Sequence, residues 1–281
     1  MKIAFIGGGN MATALIAGLA GQLTGAGSLH VVDPNAEALE RLASQYGVST
    51  ANGIDVQVAG ADVIVLAGKP QQMREVAGQL KAQLGNQPLV LSIAAGIRIN
   101  DLSRWLGGYT RIVRAMPNTP ALIAMGITGM VAESGVDAVQ REAADKVMAA
   151  VGQTVWLDRE ELIDPVTAVS GSGPAYVFYF LEAMQQAARE MGLDAEQGRR
   201  LALATFTGAA QLAAQSGDPV EVLRQRVTSK GGTTHAAITS MEAAGVKEAI
   251  VAAMKAAAAR GRELGDEVGI SLGGWLRRPR V

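Results

Sequence analysis

The chain has 281 residues, and its 25 lysines and arginines nearly balance 26 aspartates and glutamates, for a formal net charge of -1. That balance gives no general attraction for nucleic acid or an anionic membrane, so any anion must be met by a local site, while the length allows two ordinary domains. Cysteine is absent and histidine occurs only at His30 and His235, which excludes disulfides, thiolate chemistry and a Cys- or multi-His metal centre and leaves an organic cofactor as the source of reactivity.

Met1-Lys2 runs directly into a strand-like segment at 3–6, without the charged leader and small-residue cleavage site of a signal peptide, and the expectation is a cytoplasmic protein. Hydrophobic residues make up 49% of the chain, yet no uninterrupted apolar stretch approaches the roughly 20 residues of a membrane helix. Short β-branched runs recur at 3–6, 29–32, 63–66, 89–93, 111–114, 127–131 and 154–157, with helix-like segments between most of them. This alternation predicts an α/β domain over 1–163, a doubly wound, mainly parallel sheet covered by helices on both faces. After Asp164-Pro165 the strand signal disappears, and Ala-, Leu- and Met-rich stretches at 174–191, 195–216, 219–227, 233–244 and 246–265 predict an all-helical second domain over 164–281. Its segment Tyr176-Val177-Phe178-Tyr179-Phe180-Leu181 is apolar around the whole helical circumference, which suits either a subunit interface or the core helix of one monomer. The tail at 275–281 reads as a frayed, solvated end.

Gly7-Gly8-Gly9-Asn10-Met11-Ala12 fits G-x-G-x-x-A between a strand and the helical run 12–19, the context of a dinucleotide-binding turn. Gly7 permits the tight turn, Gly9 lets the backbone approach a pyrophosphate, Ala12 allows close helix packing, and the helix start offers amides and partial positive charge to phosphates. Asp33 closes the second strand, where an acidic side chain would accept from an adenosine ribose and repel a 2′-phosphate; Asp33-Pro34-Asn35 equally suits turn chemistry, so NADH and NADPH both stay open. Further loops follow strands at Ala67-Gly68-Lys69-Pro70, Ile93-Ala94-Ala95-Gly96 and Ala115-Met116-Pro117-Asn118-Thr119-Pro120, and in a parallel sheet these should line one crevice, with Pro117 and Pro120 stiffening a loop against the nicotinamide. In the helical half, Ser229-Lys230-Gly231-Gly232-Thr233-Thr234 precedes an apolar helix and reads as a second anion cradle, built from successive amides and the Ser229 and Thr234 hydroxyls.

These blocks, with Ser92-Ile93-Ala94-Ala95-Gly96, Ser170-Gly171-Ser172-Gly173-Pro174-Ala175-Tyr176 and the stretch 219–242, occur in an order that resembles the pyrroline-5-carboxylate reductase family. The resemblance implies NADPH- or NADH-dependent reduction of 1-pyrroline-5-carboxylate to L-proline, with no nucleic acid, membrane or metal involved. It also implies a helical dimerisation domain, a homodimer, and a decamer of five dimers as a higher assembly. By position, Ser229, Gly231, Gly232, Thr233 and Thr234 resemble the substrate loop, Thr234 reaching the ring nitrogen. Gly7, Gly8, Gly9, Asn10, Met11, Ala12, Asp33, Asn52, Ala67, Lys69, Pro70, Ala94, Met116, Pro117, Asn118 and Pro174 resemble the cofactor contacts, and Lys69 with Thr234 stands nearest the chemistry. The chain departs from the family pattern at Gly68, where Val is usual, at Lys230, where Pro is usual, and at Asp33, where a small neutral residue is common. Two rivals remain at this point: a reductase of the β-hydroxyacid dehydrogenase type, whose lysine-bearing helix is missing from the helical half, and a dinucleotide-sensing protein without turnover, which leaves the second anion cradle unexplained.

Overall fold

The computed structural model describes residues 1–22 and 28–270. The tail at 275–281 lies outside the described residues. The chain falls into two compact units, the first holding Met1–Ser172 and the chain from Ala257 onward, the second Gly173–Ala256.

The first unit is a doubly wound α/β domain. Its elements are β1 (Ile3–Ile6), α1 (Asn10–Gln22), β2 (Leu29–Val32), α2 (Ala36–Tyr46), β3 (Ser49–Ala51), α3 (Val56–Ala59), β4 (Val63–Leu66), α4 (Met73–Leu80), β5 (Leu89–Ser92), α5 (Ile99–Trp105), β6 (Ile112–Met116), β7 (Gly126–Ala132), α6 (Ala138–Ala149), β8 (Gly152–Trp156) and α7 (Ile163–Val166). The eight strands lie in the order β3-β2-β1-β4-β5-β6-β7-β8.

Successive side chains of a strand face opposite ways, and here both faces are dry. Ile3, Phe5, Val63, Val65, Leu89 and Leu91 join one core with Leu15, Leu19 and Val147 from α1 and α6. Ala4, Ile6, Ile64, Leu66 and Val90 join another with Met73, Leu80 and Leu102 from α4 and α5. Double-sided burial is why these strands read as unbroken apolar runs. β3 escaped the sequence reading because Ser49–Ala51 is a three-residue, incompletely buried edge strand without such a run. The sheet is parallel from β3 to β6, but β7 runs antiparallel to β6, since 117–125 is too short for the dozen or more residues of a parallel crossover. Helix α6 then supplies a true crossover to β8, which pairs parallel with β7.

A partly buried ion pair links several of these pieces. Glu160 Oε2 accepts from Arg114 Nη1 at 3.2 Å and from the Ile99 amide at 2.8 Å, so a distant carboxylate serves the start of α5, where Arg98 makes no side-chain cap. Arg98 instead donates to Asp266 Oδ1 at 2.8 Å and to the Arg262 carbonyl at 3.0 Å, which fastens the end of the last helix within this unit.

The second unit contains α8 (Gly173–Glu190), α9 (Ala195–Gln215), α10 (Val220–Arg226), α11 (Thr233–Ala243) and the first part of α12 (Val246–Ile270), up to Ala256; the rest of α12 belongs to the first unit. Asp194 starts α9 with a capping box closed by Gln197. Phe180 and Phe206 meet edge to face at 5.6 Å. The apolar stretch on α8 is not the core helix of a single chain: Leu181 is buried, but Phe178 is 60% and Tyr179 76% exposed. No helix among the described residues is long and apolar enough to cross a membrane.

Candidate active site

Strands β1 to β6 run in one direction, so the loops after them share one edge of the sheet. The glycine turn stands at its centre. Gly7 has φ +109° and donates to the Val32 carbonyl at 2.8 Å, and a Cβ there would lie 2.8 Å from the backbone of Ala67 and Gly68. Only glycine fits both demands. At Gly9 a Cβ would meet nothing within 4 Å, so the space in front of this residue is open. The Gly9 carbonyl accepts the Thr13 amide and hydroxyl, both at 2.9 Å, and the amides ahead of Thr13 belong to the unpaired first turn of α1. Ala12 is 1% exposed and packs in the core, as the close helix approach requires. Open backbone, free amides and a helix start without acidic residues fit a pyrophosphate.

Asp33 does two jobs within the protein. Its Oδ2 accepts the Gly8 amide at 2.8 Å, and its Oδ1 accepts the Asn35 amide at 2.8 Å. Asn35 in turn caps α2 by accepting from Glu37 and Ala38. The turn chemistry read from the sequence is therefore present, and the same carboxylate braces the glycine loop. Val32 pairs in register with Ala51, which sets Asn52 beside Asp33 on the same edge.

After β4, Ala67 donates to the Ile6 carbonyl at 2.9 Å, and exposed Lys69 precedes a 3-10 turn, Pro70–Gln72. Its ammonium has no ion pair among the described residues. A Cβ on Gly68 would lie 2.6 Å from Met73 Cε, so the glycine makes room for the buried end of Met73. After β5, Ala94 is 5% exposed, its methyl in the core, so only its backbone faces the loop. After β6, Met116 is half-buried, Pro117 buried, and Asn118 half-buried with both ends of its amide engaged: Oδ1 accepts from Ile127 N at 3.0 Å and Nδ2 donates to the Ser170 carbonyl at 3.1 Å. The sequence reading missed these tethers.

At the opposite edge, a cavity of about 300 Å³ lies beside His30, whose Nδ1 stands 2.8 Å from Ser49 Oγ and Nε2 3.1 Å from Asp55 Oδ1. The Ser49 hydroxyl also meets Gln57 Oε1 at 3.0 Å, and Asp55 caps α3. These bonds tie β2, β3 and α3 together. Among the described residues no group of three or more His, Asp or Glu side chains is placed to hold a metal.

In the second unit, Pro174 sits in the first turn of α8, and the turn 229–234 enters α11. Gly231 has φ +79°, the Gly232 amide donates to the Ser229 carbonyl at 2.9 Å, and Gly232 starts the helix without a side-chain cap. Ala236 is the first amide to find its helical acceptor, at Gly232. The amides of Thr233, Thr234 and His235 are thereby left to an outside acceptor, with exposed Ser229 and Lys230 and half-buried Thr234 alongside. This turn can hold a carboxylate, and the Lys230 ammonium is its one ionisable side chain.

Comparison with known proteins matches residues 160–264 to a family described as pyrroline-5-carboxylate reductase dimerisation, and residues 2–96 to one described as NADP oxidoreductase, coenzyme F420-dependent. The pyrroline-5-carboxylate reductase of Pseudomonas aeruginosa is 45% identical over 268 residues, covering 95% of this chain and 98% of that protein. Among solved structures, a pyrroline-5-carboxylate reductase from Coxiella burnetii superposes with a TM-score of 0.90 at 40% identity, covering 94% of this chain and 98% of the other. The Plasmodium falciparum pyrroline carboxylate reductase, solved with NADP bound, gives a TM-score of 0.83 at 28% identity with the same coverage.

Proposed function

The chain belongs to the pyrroline-5-carboxylate reductase family and is an NAD(P)H-dependent oxidoreductase, and we propose in detail how its own residues carry out the reduction of 1-pyrroline-5-carboxylate to L-proline, the last step of proline biosynthesis. The observation that carries this reading is the uncapped turn at 229–234, a carboxylate cradle in a chain whose glycine turn already accounts for the pyrophosphate.

When bound, the reduced nicotinamide supplies a hydride to the carbon of the substrate's C=N bond. The first turn of α1, with Gly7, Gly8, Gly9, Asn10, Met11 and Ala12, would hold the phosphates. Asp33 and Asn52 would meet the adenosine end, and Ala67, Lys69, Pro70, Ala94, Met116, Pro117 and Pro174 would border the rest of the cofactor. Ser229 and the amides of Gly231, Gly232 and Thr233 hold the substrate carboxylate, and Lys230 adds a cation beside it. Thr234 orients the ring nitrogen by hydrogen bonding. A cyclic imine is readily protonated by water, and hydride addition to the protonated C=N gives the amine directly, so orientation is the main demand on the protein. Lys69, exposed after β4, would supply a positive charge on the cofactor side of the site. Functionally the division is 1–163 for the nucleotide and 164–281 for substrate and dimerisation.

We place this activity in the cytoplasm and in a homodimer, with a decamer of five dimers as the higher assembly. The exposed apolar residues of α8 support dimerisation. Purified protein given racemic pyrroline-5-carboxylate should consume NADH or NADPH, and should not turn over 2-hydroxy acids with the oxidised cofactors. No loss of reduced-nicotinamide absorbance with the imine overturns the reading.

Asp33→Ser should raise the NADPH-to-NADH ratio of kcat/KM by about tenfold, the scale of one relieved charge repulsion near a phosphate. A constant ratio removes Asp33 from cofactor choice and leaves it the Gly8 and Asn35 amides alone.

A further inference from the structure

We propose that Asn118 is a positioning residue, whose side-chain amide satisfies a carbonyl that Pro174 leaves without a helical donor and so fixes the turn before Pro174 against the loop closing β6. The proposal rests on the functional reading above, which places Pro174 at the cofactor.

Helix α7 passes through a π-helical turn, Thr167–Gly171, closed by the Ser172 amide donating to the Thr167 carbonyl at 2.7 Å. In a continuing α-helix the Ser170 carbonyl would accept the amide four residues ahead, but position 174 is proline and has no N–H. Asn118 Nδ2 takes that carbonyl at 3.1 Å. The orientation of the amide is determined by its other end, because the Ile127 backbone N–H can only donate and so must meet Oδ1, at 3.0 Å. A second grip lies beside the first. A Cβ on Gly171 would stand 2.6 Å from Met116 Cε, so the turn rests on the last side chain of β6.

Thus Met116 meets Gly171 and Asn118 meets Ser170, two fixed points on a turn whose π geometry breaks the regular ladder. With Oδ1 and one N–H already committed, Asn118 acts on the reaction through the backbone it holds. Loosening that backbone should misplace the groups after it, and a shift of about 1 Å can cost on the order of 100-fold in rate. Nucleotide affinity, set at the glycine turn, should hardly change.

The test compares wild type, Asn118→Asp, Pro174→Ala and the double variant. Asn118→Asp keeps the acceptor for Ile127 but sets an oxygen against the Ser170 carbonyl. It should lower kcat about 10- to 50-fold and lower Tm, with the nucleotide Kd within about twofold of wild type. In the Pro174→Ala background, position 174 regains an N–H for Ser170, so the same substitution should cost less than about threefold in kcat and under half the Tm loss. Equal losses in both backgrounds overturn the proposal. So does a loss of nucleotide affinity as large as the loss in kcat, which would make Asn118 a direct cofactor contact. If Asn118→Asp does not fold, recovery of folded protein in the double variant supports the proposal and failure to recover overturns it. The Tm coupling needs no turnover, so a wild-type protein inactive on pyrroline-5-carboxylate would refute the functional reading and leave this one decided by stability.

Discussion

Gly9→Val should abolish measurable nucleotide binding, weakening it more than about 100-fold, while leaving the thermal transition close to that of the wild type. The separation of the two effects follows from what surrounds this position. A Cβ at Gly9 meets nothing within 4 Å, so the added branches project into open space and displace only what would bind there. Gly7→Ala is the control with the opposite character. Its Cβ would lie 2.8 Å from the Ala67 and Gly68 backbone, at a φ of +109°, so strain and collision fall on the fold itself. Titration of NADH and NADPH with thermal melts of both variants checks this; retained affinity in Gly9→Val would remove the pyrophosphate from the glycine turn.

Thr234→Ala should lower kcat about 100-fold and change KM for the imine much less, with nucleotide affinity unaltered. Thr234 lies in the first turn of α11, where alanine is well tolerated, and its backbone amide stays available to a carboxylate. What disappears is the hydroxyl that aligns the ring nitrogen. Steady-state kinetics with both substrates varied checks the split. Unchanged turnover would reject the assignment, and a rise in KM alone would move Thr234 to carboxylate binding.

Most of the fold was legible because burial on both faces writes itself into composition. β4 is a four-residue apolar run and β5 has three apolar residues before Ser92, every residue of both buried, and the helical half announces itself by alanine and leucine spacing over long stretches. What failed to show had no local pattern. β3 is short and polar at the sheet edge, and the reversed direction of β7 depends on the length of 117–125 rather than on its residue types. The site divides similarly. Gly7 and Ala12 could be assigned because each answers a steric demand set by its immediate neighbours. The bond from Gly8 to Asp33 and that from Asn118 to Ser170 span 25 and 52 positions, and nothing near either residue foretells its partner. Gly68 is explained only once Met73 is seen filling the space beside it.

The return of α12 to the first unit bears on the order in which the protein matures on the ribosome. Arg262 and Asp266, which hold the Arg98 guanidinium, are translated 164 and 168 positions after it. The sheet can therefore collapse during synthesis, while this fastening waits until α12 has emerged. A chain truncated at Ala256 should yield a nascent domain with complete strands and an unclasped Arg98, more readily cut by protease at the start of α5 than the chain that keeps all of α12.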